Sequence, residues 1–176
     1  MDFTFTQEEE EFRKEVQDWI RKETPQRWLE IDPGLWQETD ESWALSREFQ
    51  KKLGQKGWLA PAYPKQYGGA EMSHMKRLIL AEELSYNKAP VGVEVEISVN
   101  WVGPDIMLFG SEEQKQKYVT GVAKGDTVFC LGYSEPNAGS DLASLQTTAI
   151  EEGDEYVVNG NKIWTSYGHY ADYCWL

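Results

Sequence analysis

The chain has 176 residues, 40 % of them apolar, and a formal net charge of −13. This length allows one ordinary domain, or one domain and part of a second. The negative charge argues against nucleic acid and against an anionic membrane surface as partners, because both attract Lys and Arg.

The first part of the chain, residues 1–125, has the apolar spacing of helices. Thr6 and Glu9 have the spacing of a capping box at the start of a helix. Pro25 ends that helix or follows its end closely. The apolar residues of this predicted helix share one face: Phe12, Val16, Trp19 and Ile20.

Further helices are predicted from caps, apolar positions and closing glycines. They comprise a helix around Phe49 and Leu53 closed by Gly54 and Gly57, a helix capped by Ser73 that carries Met75, Leu78, Ile79 and Leu84, and a helix capped by Ser111 and Gln114 and ended by Gly125. Loops are predicted at Pro33 and Gly34, and along Pro61, Pro64, Gly68 and Gly69. The first part is therefore predicted to be all-α.

Residues 91–101 have a different pattern. Apolar residues alternate there with glycine and polar residues, which is the period of a half-buried strand. A single strand inside a helical part would lack a partner, so the period alone does not decide this segment.

The second part, residues 126–176, has the composition of strands. Strands are predicted at 127–133, 147–150, 156–158 and 162–164, and from 171 onward. The segment 152–154 predicts a turn, and Asn159-Gly160 predicts a two-residue hairpin between 156–158 and 162–164. So few strands leave unpaired edges, so we expect the beginning of a larger β domain.

Cysteine usage and the N-terminus bear on the compartment. Cys130 and Cys174 are too few for a disulfide framework, and no Cys/His cluster has the spacing of a zinc site. The acidic, helical N-terminus is unlike a secretory or transit peptide, and no apolar run approaches the roughly 20 residues that span a bilayer. We expect a soluble protein of the bacterial cytoplasm, without a metal or membrane insertion.

Two segments of the second part concentrate hydroxyl groups. Residues 133–141 combine two serines with a proline bend and an Ala-Gly pair, and Trp164-Thr165-Ser166 follows. Such segments present polar groups and backbone N–H to an anionic or hydrogen-bonding ligand. The plainer interpretations are an ordinary turn for 134–141 and a core position for Trp164.

These segments carry a family resemblance. Residues 134–141 match the motif Ser/Thr-Glu-Pro-x-Ala/Gly-Gly-Ser-Asp of the acyl-CoA dehydrogenases, and 164–166 match their Trp-x-Ser/Thr flavin motif. Segments 64–69, 109–115 and 153–162 are also typical of that family. The chain therefore resembles the N-terminal part of an acyl-CoA dehydrogenase along essentially all of its length, and the family continues for about as long again or more.

The resemblance implies a fold and an activity. It implies an N-terminal helical domain at 1–125, the beginning of an antiparallel β-barrel middle domain at 126–176, and a C-terminal helical bundle that is absent. It also implies that 91–101 is mostly helical, and we adopt that interpretation. The implied reaction is FAD-dependent α,β-dehydrogenation of an acyl-CoA thioester in lipid and fatty acid metabolism, with hydride transfer to flavin N5.

The resemblance further implies site residues and partners. The flavin-binding residues would be Leu131, Tyr133, Ser134, Gly139, Ser140, Trp164, Thr165 and Ser166, and the substrate-binding residues Ser140, Ile97 and Trp101. The implied partners are acyl-CoA, an electron-transfer flavoprotein or similar acceptor, and further subunits in a homotetramer or a hetero-oligomer.

Departures from the family pattern restrict these expectations. Leu131 stands where many members have an aromatic residue, and Asn137 where glycine is frequent. No residue matches the family's catalytic glutamate, so no catalytic residue is assigned, and Glu135 does not qualify merely because it lies in the motif. We expect a chain of these 176 residues alone to bind FAD weakly or not at all and to be inactive.

Other functions remain open. An acyl-CoA oxidase has the same fold, and its flavin is reoxidised by oxygen. A non-catalytic subunit would complete a flavin or substrate site only with another chain.

Overall fold

The computed structural model describes residues 4–31 and 39–176. The chain divides into two compact units, Met1–Thr127 and Val128–Leu176, called the helical unit and the β unit below. The loop predicted at Pro33 and Gly34 lies outside the described residues.

The helical unit consists of helices and short helical turns. In chain order these are α1 (Gln7–Glu23), α2 (Gln26–Glu30), α3 (Asp40–Gln55), a 3-10 turn (Lys65–Tyr67), α4 (His74–Tyr86), α5 (Val93–Val95), a π-helical stretch (Glu96–Val102), α6 (Gly103–Phe109), α7 (Glu112–Gln114), a second π-helical stretch (Lys115–Val119) and α8 (Thr120–Lys124). The elements from α5 to α6 follow one another without a break at 93–109, called the central helix below. No helix within the described ranges combines the length and apolar character that crossing a bilayer requires.

Helix α1 confirms the predicted capping box. The Glu9 amide donates to Thr6 Oγ1 at 3.3 Å, and the Thr6 amide donates to Glu9 Oε2 at 2.8 Å. Three residues of the predicted apolar face are buried: Phe12, Val16 and Ile20. Trp19 contacts aromatic rings of the core, with its ring centroid 5.2 Å from that of Phe49.

Helix α3 corrects one predicted boundary. Gly54 was predicted to help close this helix, but it lies inside it. A Cβ at Gly54 would stand 2.5 Å from the carbonyl oxygen of Lys124, so the missing side chain allows α8 to approach closely. Gly57, with φ +70°, follows the end of the helix and takes the left-handed conformation that glycine tolerates.

Helix α4 begins where the sequence predicts. Ser73 Oγ accepts a hydrogen bond from the Lys76 amide at 3.3 Å. The helix carries the predicted apolar residues, of which Met75 and Leu78 are exposed and Ile79 is buried. The buried face also includes Glu83, whose carboxylate accepts a hydrogen bond from Arg13 of α1 at 2.8 Å.

The central helix confirms the helical interpretation of 91–101. Its buried residues follow a helical spacing: Glu94, Ile97, Ser98, Val99, Val102, Gly103 and Ile106. The alternation in sequence therefore does not correspond to the buried face. The Tyr63 hydroxyl donates to the Val99 carbonyl oxygen at 2.6 Å, within the π-helical stretch. Burial raises the pKa of Tyr63, which keeps this donor protonated.

A buried polar cluster joins α3 to the central helix. Gln50 Nε2 donates to Glu94 Oε1 at 2.5 Å and to Ser46 Oγ at 2.8 Å. The Ser46 hydroxyl lies 3.1 Å from the Pro90 carbonyl oxygen and 3.3 Å from Glu94 Oε1. Since buried polar groups are stable only when hydrogen-bonded, this cluster specifies how the two helices pack.

Gly125 ends α8 as predicted. It has φ +75°, and its carbonyl oxygen accepts a hydrogen bond from Arg47 Nη2 at 2.5 Å. The amides of Asp126 and Thr127 both donate to the Gly121 carbonyl oxygen, at 2.8 and 3.1 Å. The end of the helical unit is therefore hydrogen-bonded to the unit's own helices.

The β unit contains two strand pairs. Its strands are β1 (Phe129–Leu131), β2 (Thr148–Glu152), β3 (Glu155–Asn159) and β4 (Tyr173–Trp175). β2 and β3 form an antiparallel hairpin, whereas β1 and β4 pair in parallel with Cys130 opposite Cys174. The predicted fold class, a helical domain followed by the start of a β domain, is confirmed.

The turn predicted at 152–154 is confirmed, since Glu152 pairs with Glu155 across Gly153 and Asp154. The hairpin predicted at Asn159-Gly160 is wrong, because residues 162–164 are not a strand. Gly160 does not form a hairpin turn but allows close packing against Thr147. A Cβ there would lie 2.1 Å from Thr147 Oγ1 and 2.9 Å from Thr147 Cα, so glycine is needed for close approach.

Candidate functional site

The two hydroxyl-rich segments lie next to each other in the β unit. The Ile163 amide donates to the Ser134 carbonyl oxygen at 2.9 Å. Ser134 and Trp164 are therefore on adjacent stretches of backbone, although 162–164 does not form the predicted strand. Residues 131–134 and 162–166 are called the first and second motif segments below.

Trp164 is not a core residue. It is 82 % exposed, so no part of this chain packs around it as around a core residue. Its φ is +54°, a left-handed conformation that is unusual for a bulky side chain. Such a conformation costs on the order of 1–3 kcal/mol and is concentrated at functional sites. An indole held outward at this cost is a surface suited to contact a flat ligand.

Glu135 connects several parts of the β unit. Its Oε1 accepts from the Thr147 amide at 2.9 Å, the Thr147 hydroxyl at 2.5 Å and Lys162 Nζ at 3.0 Å. Its Oε2 accepts from the Gln146 amide at 2.8 Å. Lys162 Nζ also donates to the Tyr133 carbonyl oxygen at 3.1 Å. The buried carboxylate, which follows the first motif segment, thus connects it to residues 146–147 before β2 and to the second motif segment.

The hydrogen bonds around Glu135 determine its ionisation. The Thr147 hydroxyl and the Gln146 amide, with the Lys162 ammonium, lower the pKa of Glu135 from 4.5 to about 2. A general base works best when its pKa is near the operating pH. Glu135 therefore stays ionised at neutral pH and is a poor proton acceptor, which agrees with its exclusion as the catalytic base.

The backbone of the 134–141 motif folds back on itself at Glu135. The Glu135 amide donates to the Ala138 carbonyl oxygen at 2.8 Å, and the Ala138 amide donates to the Glu135 carbonyl oxygen at 3.1 Å. These two amides are used inside the loop. Gly139 and Ser140 beyond it are exposed, and a Cβ at Gly139 would have no atom within 4 Å. The backbone at Gly139 is thus open on its side-chain face.

The other predicted flavin residues also belong to the β unit. Leu131 is half-buried and pairs with Trp175, and Tyr133 is 38 % exposed. Thr165 is half-buried, and its carbonyl oxygen accepts from the Gly168 amide at 3.0 Å. Ser166 is exposed. The structure therefore brings all of the predicted flavin residues into one unit.

The predicted substrate residues are divided between the units. Ile97 is buried and Trp101 is 48 % exposed, both on the central helix, whereas Ser140 lies in the β unit. A cavity of about 260 Å³ lies beside the central helix, and Val95 and Val99 line it. Ile97 and Trp101 are not among its lining residues, so this cavity does not support their assignment.

Lys162 and Thr147 contact Glu135, and the sequence alone did not reveal either contact. Lys162 is 27 positions from Glu135, and no helical or strand period connects residues so distant. One feature of the sequence could have indicated such partners: Glu135 lies inside a turn-forming motif. A glutamate that is buried there needs hydrogen-bond donors from elsewhere in the chain. No group of three or more His, Cys, Asp or Glu side chains in ranges 4–31 and 39–176 is placed to hold a metal ion.

Comparison with known proteins decides the family. Residues 6–126 match the model described as acyl-CoA dehydrogenase, N-terminal domain. Residues 130–176 match the model described as acyl-CoA dehydrogenase, middle domain. The chain belongs to the acyl-CoA dehydrogenase family. The resemblance inferred from the motifs is thereby confirmed.

Relatives in the acyl-CoA dehydrogenase family extend beyond this chain. Acyl-CoA dehydrogenase FadE26 of Mycobacterium tuberculosis is 49 % identical over 130 residues, which are 74 % of this chain and 32 % of that protein. The ChsE4-ChsE5 complex from Mycobacterium tuberculosis contains a chain that is 41 % identical with a TM-score of 0.84, and the match covers 100 % of this chain and 43 % of that one. The Tcur3481-Tcur3483 steroid ACAD is 40 % identical with a TM-score of 0.84, covering 100 % and 44 %. The chain thus spans less than half of the length of these relatives.

Proposed function

We propose that this chain supplies the flavin-binding motifs of an FAD-dependent acyl-CoA dehydrogenase that acts on an acyl-CoA thioester. The observation that carries the proposal is the contact between the two motif segments, which sets an exposed Trp164 beside Ser134. Family membership supports the reaction class, an oxidoreductase. The finer assignments below are part of the same proposal.

The residues of the two motif segments fit a flavin. An isoalloxazine has a flat apolar face and a polar edge. Trp164 offers an exposed aromatic plane. Ser166 offers a hydroxyl two residues further along the chain, and Ser134 offers one from the adjacent stretch of backbone. Gly139 and Ser140 offer open backbone, which suits close approach of a phosphate. Leu131, Tyr133 and Thr165 complete the proposed contacts.

When bound, FAD supplies the electron acceptor for α,β-dehydrogenation of the thioester. The residues of this chain bind and orient: Trp164 covers a ring face and excludes water from it, and Ser134 donates or accepts at a polar edge. Ser140, Ile97 and Trp101 are proposed to contact the acyl-CoA. No residue here is assigned as the base, since Glu135, the glutamate of the motif, is hydrogen-bonded at both oxygens and has a lowered pKa.

The flavin assignment is tested by retention of FAD. We expect Trp164→Ala and Ser134→Ala to weaken flavin binding in a full-length protein that contains these residues and retains FAD. For Trp164, loss of an aromatic contact worth roughly 0.5–1.5 kcal/mol corresponds to about a twofold to tenfold weaker affinity. The measurement is flavin absorbance per chain after gel filtration at a series of protein concentrations.

Matched controls come from the helical unit. Tyr86 is 84 % exposed, close to Trp164, and Ser85 beside it is an exposed serine. Tyr86→Ala and Ser85→Ala should leave flavin content unchanged. Unchanged content in both motif variants as well would contradict the assignment of the site.

The acceptor and the subunit arrangement are separate questions. Reduction of an electron-accepting dye without formation of peroxide supports a dehydrogenase with an electron-transfer flavoprotein or similar acceptor, and peroxide formation supports an oxidase. A second candidate function, a subunit that completes its site only with a different chain, is favoured by the two-protein names of the ChsE4-ChsE5 and Tcur3481-Tcur3483 structures. Flavin retention that appears only after co-expression with a companion chain would support this second function over a homotetramer.

The steroid description of one relative suggests which substrates to assay first. We propose to compare a steroid-derived acyl-CoA with straight-chain acyl-CoA thioesters. The proposed location is the bacterial cytoplasm, where acyl-CoA thioesters are made and used.

A further inference from the structure

The position of Trp164 is not explained by its own packing. The side chain is 82 % exposed, so few neighbouring atoms hold the indole. The backbone has a positive φ, which a tryptophan does not favour. A conformation of this kind persists only where neighbouring residues over-determine it. The residues immediately before Trp164 have the hydrogen bonds that can hold its backbone in this conformation.

Those preceding residues are both attached to the first motif segment. Ile163 donates its amide to the Ser134 carbonyl oxygen at 2.9 Å. Lys162 donates from Nζ to the Tyr133 carbonyl oxygen at 3.1 Å and to Glu135 Oε1 at 3.0 Å. The Lys162 ammonium thus bridges Tyr133, in the first motif segment, and Glu135, just after that segment. Lys162 lies two residues before Trp164.

Glu135 is itself fixed from a third direction. Three hydrogen bonds from residues 146 and 147 hold its carboxylate, at 2.5 to 2.9 Å. Side-chain exposure is 16 % for Lys162 and 8 % for Glu135, so water competes weakly for this ion pair. An exposed ion pair would hold neither partner in one geometry, but a buried one with further hydrogen bonds does so.

We propose that Glu135 and Lys162 are positioning residues that hold Trp164 beside Ser134. Gln146 and Thr147, just before β2, hold Glu135 in place. Glu135 and the Tyr133 carbonyl oxygen hold Lys162, and Lys162 holds the backbone that leads through Ile163 to Trp164. The motif glutamate thus acts on the site through Lys162 and does not accept a proton. The consequence for flavin binding rests on the function proposed above, but the positioning of Trp164 does not.

The test observes Trp164 directly, in protein without flavin. Each tryptophan indole gives an N–H signal in a ¹⁵N-labelled sample, and Trp164→Phe identifies the signal of Trp164. Lys162→Met keeps the apolar stem and removes the ammonium, and Glu135→Gln keeps the shape and removes the charge. We expect the Trp164 signal to move by several linewidths and to broaden in both variants, and Lys162→Arg to restore it.

Controls distinguish positioning from loss of folding. Lys14→Met and Glu155→Gln change exposed side chains by the same charges and should leave the Trp164 signal in place. Trp175 reports folding of the same unit. If Glu135→Gln abolishes the Trp175 signal, Lys162→Met decides, because it leaves the bonds from 146 and 147 to Glu135 intact. An unmoved Trp164 signal in Lys162→Met overturns the proposal. Loss of the Trp164 and Trp175 signals together in that variant also overturns it, because Lys162 would then be needed for folding of the whole β unit.

Flavin retention on the same variants separates this inference from the proposed function. If Trp164 is displaced and flavin affinity falls about twofold to tenfold, as expected for loss of an aromatic contact, both the positioning role and the flavin site are supported. If Trp164 is displaced and retention is unchanged, the positioning role stands and the placement of Trp164 at the flavin is wrong.

Discussion

At the scale of single residues, Glu135 shows how a short motif can carry a structural carboxylate. Its side chain accepts from two backbone amides, a hydroxyl and an ammonium. These donors favour the ionised form, and the Thr147 hydroxyl has the largest effect on the pKa. Because the folded chain favours the ionised form of Glu135 more than the unfolded chain does, the free energy of unfolding should depend on pH in the acid range.

Glu135 should contribute to stability in a defined pH range. The pKa falls from 4.5 to about 2 on folding, so the ionised carboxylate stabilises the folded chain above about pH 4.5. This contribution is lost as the pH falls from about 4.5 to 2, because the unfolded chain then binds the proton more readily. We expect Glu135→Gln to flatten this part of the pH dependence, measured by urea unfolding of the β unit between pH 5 and pH 3. The same slope in both proteins would contradict the assignment.

At the scale of elements, local chemistry was predictable and close packing was not. The caps at Thr6 and Ser73 were predicted because a cap needs only residues adjacent in sequence. Gly54 and Gly160 were read as a helix end and a hairpin turn, which are the usual local uses of glycine. Both are instead required by a distant backbone, which a sequence pattern does not contain.

The hydroxyl-rich segments show the same division. The motifs identified residues that the structure brings together, such as Ser134 and Trp164, because the family resemblance carries three-dimensional information. The partners that hold them, such as Lys162, were missed because a tertiary ion pair has no periodicity. Roles of these residues in flavin binding stay a prediction.

The packing of α3 against α8 gives a test at this scale. We expect Gly54→Ala to destabilise the helical unit by about 1–3 kcal/mol, because the new Cβ would lie 2.5 Å from the Lys124 carbonyl oxygen. The measurement is thermal unfolding followed by far-ultraviolet circular dichroism. Gln55→Ala, at the exposed neighbouring position of the same helix, should change stability little. Equal melting of the two variants would show that α8 moves away without cost.

At the scale of the whole molecule, burial is distributed unequally between the units. The helical unit has a core that includes Val16, Phe49 and Leu53, each fully buried. In the β unit, every residue of β2 and β3 is exposed. A two-stranded hairpin with no covered face is only marginally stable in water. The fold class was predictable from composition, but this difference in burial was not.

Hydrogen exchange should reveal the inequality. We expect amides of β2 and β3 to exchange within seconds, whereas amides of α1 and α3 stay protected for much longer, because protection follows burial and local stability. Mass spectrometry of peptic peptides at neutral pH measures both in one sample. Exchange of all peptides at a common slow rate would contradict the prediction and indicate one cooperative unit.

The hydrogen bond from Arg47 to Gly125 has a practical consequence for dividing the protein. It fixes the residue at which the chain leaves α8, and the amides of Asp126 and Thr127 add two more attachments to Gly121. An expression boundary for the isolated N-terminal piece therefore belongs after Thr127. A cut made at the start of α8 would remove Val122 and Ala123 from the interior and leave Arg47 without this acceptor.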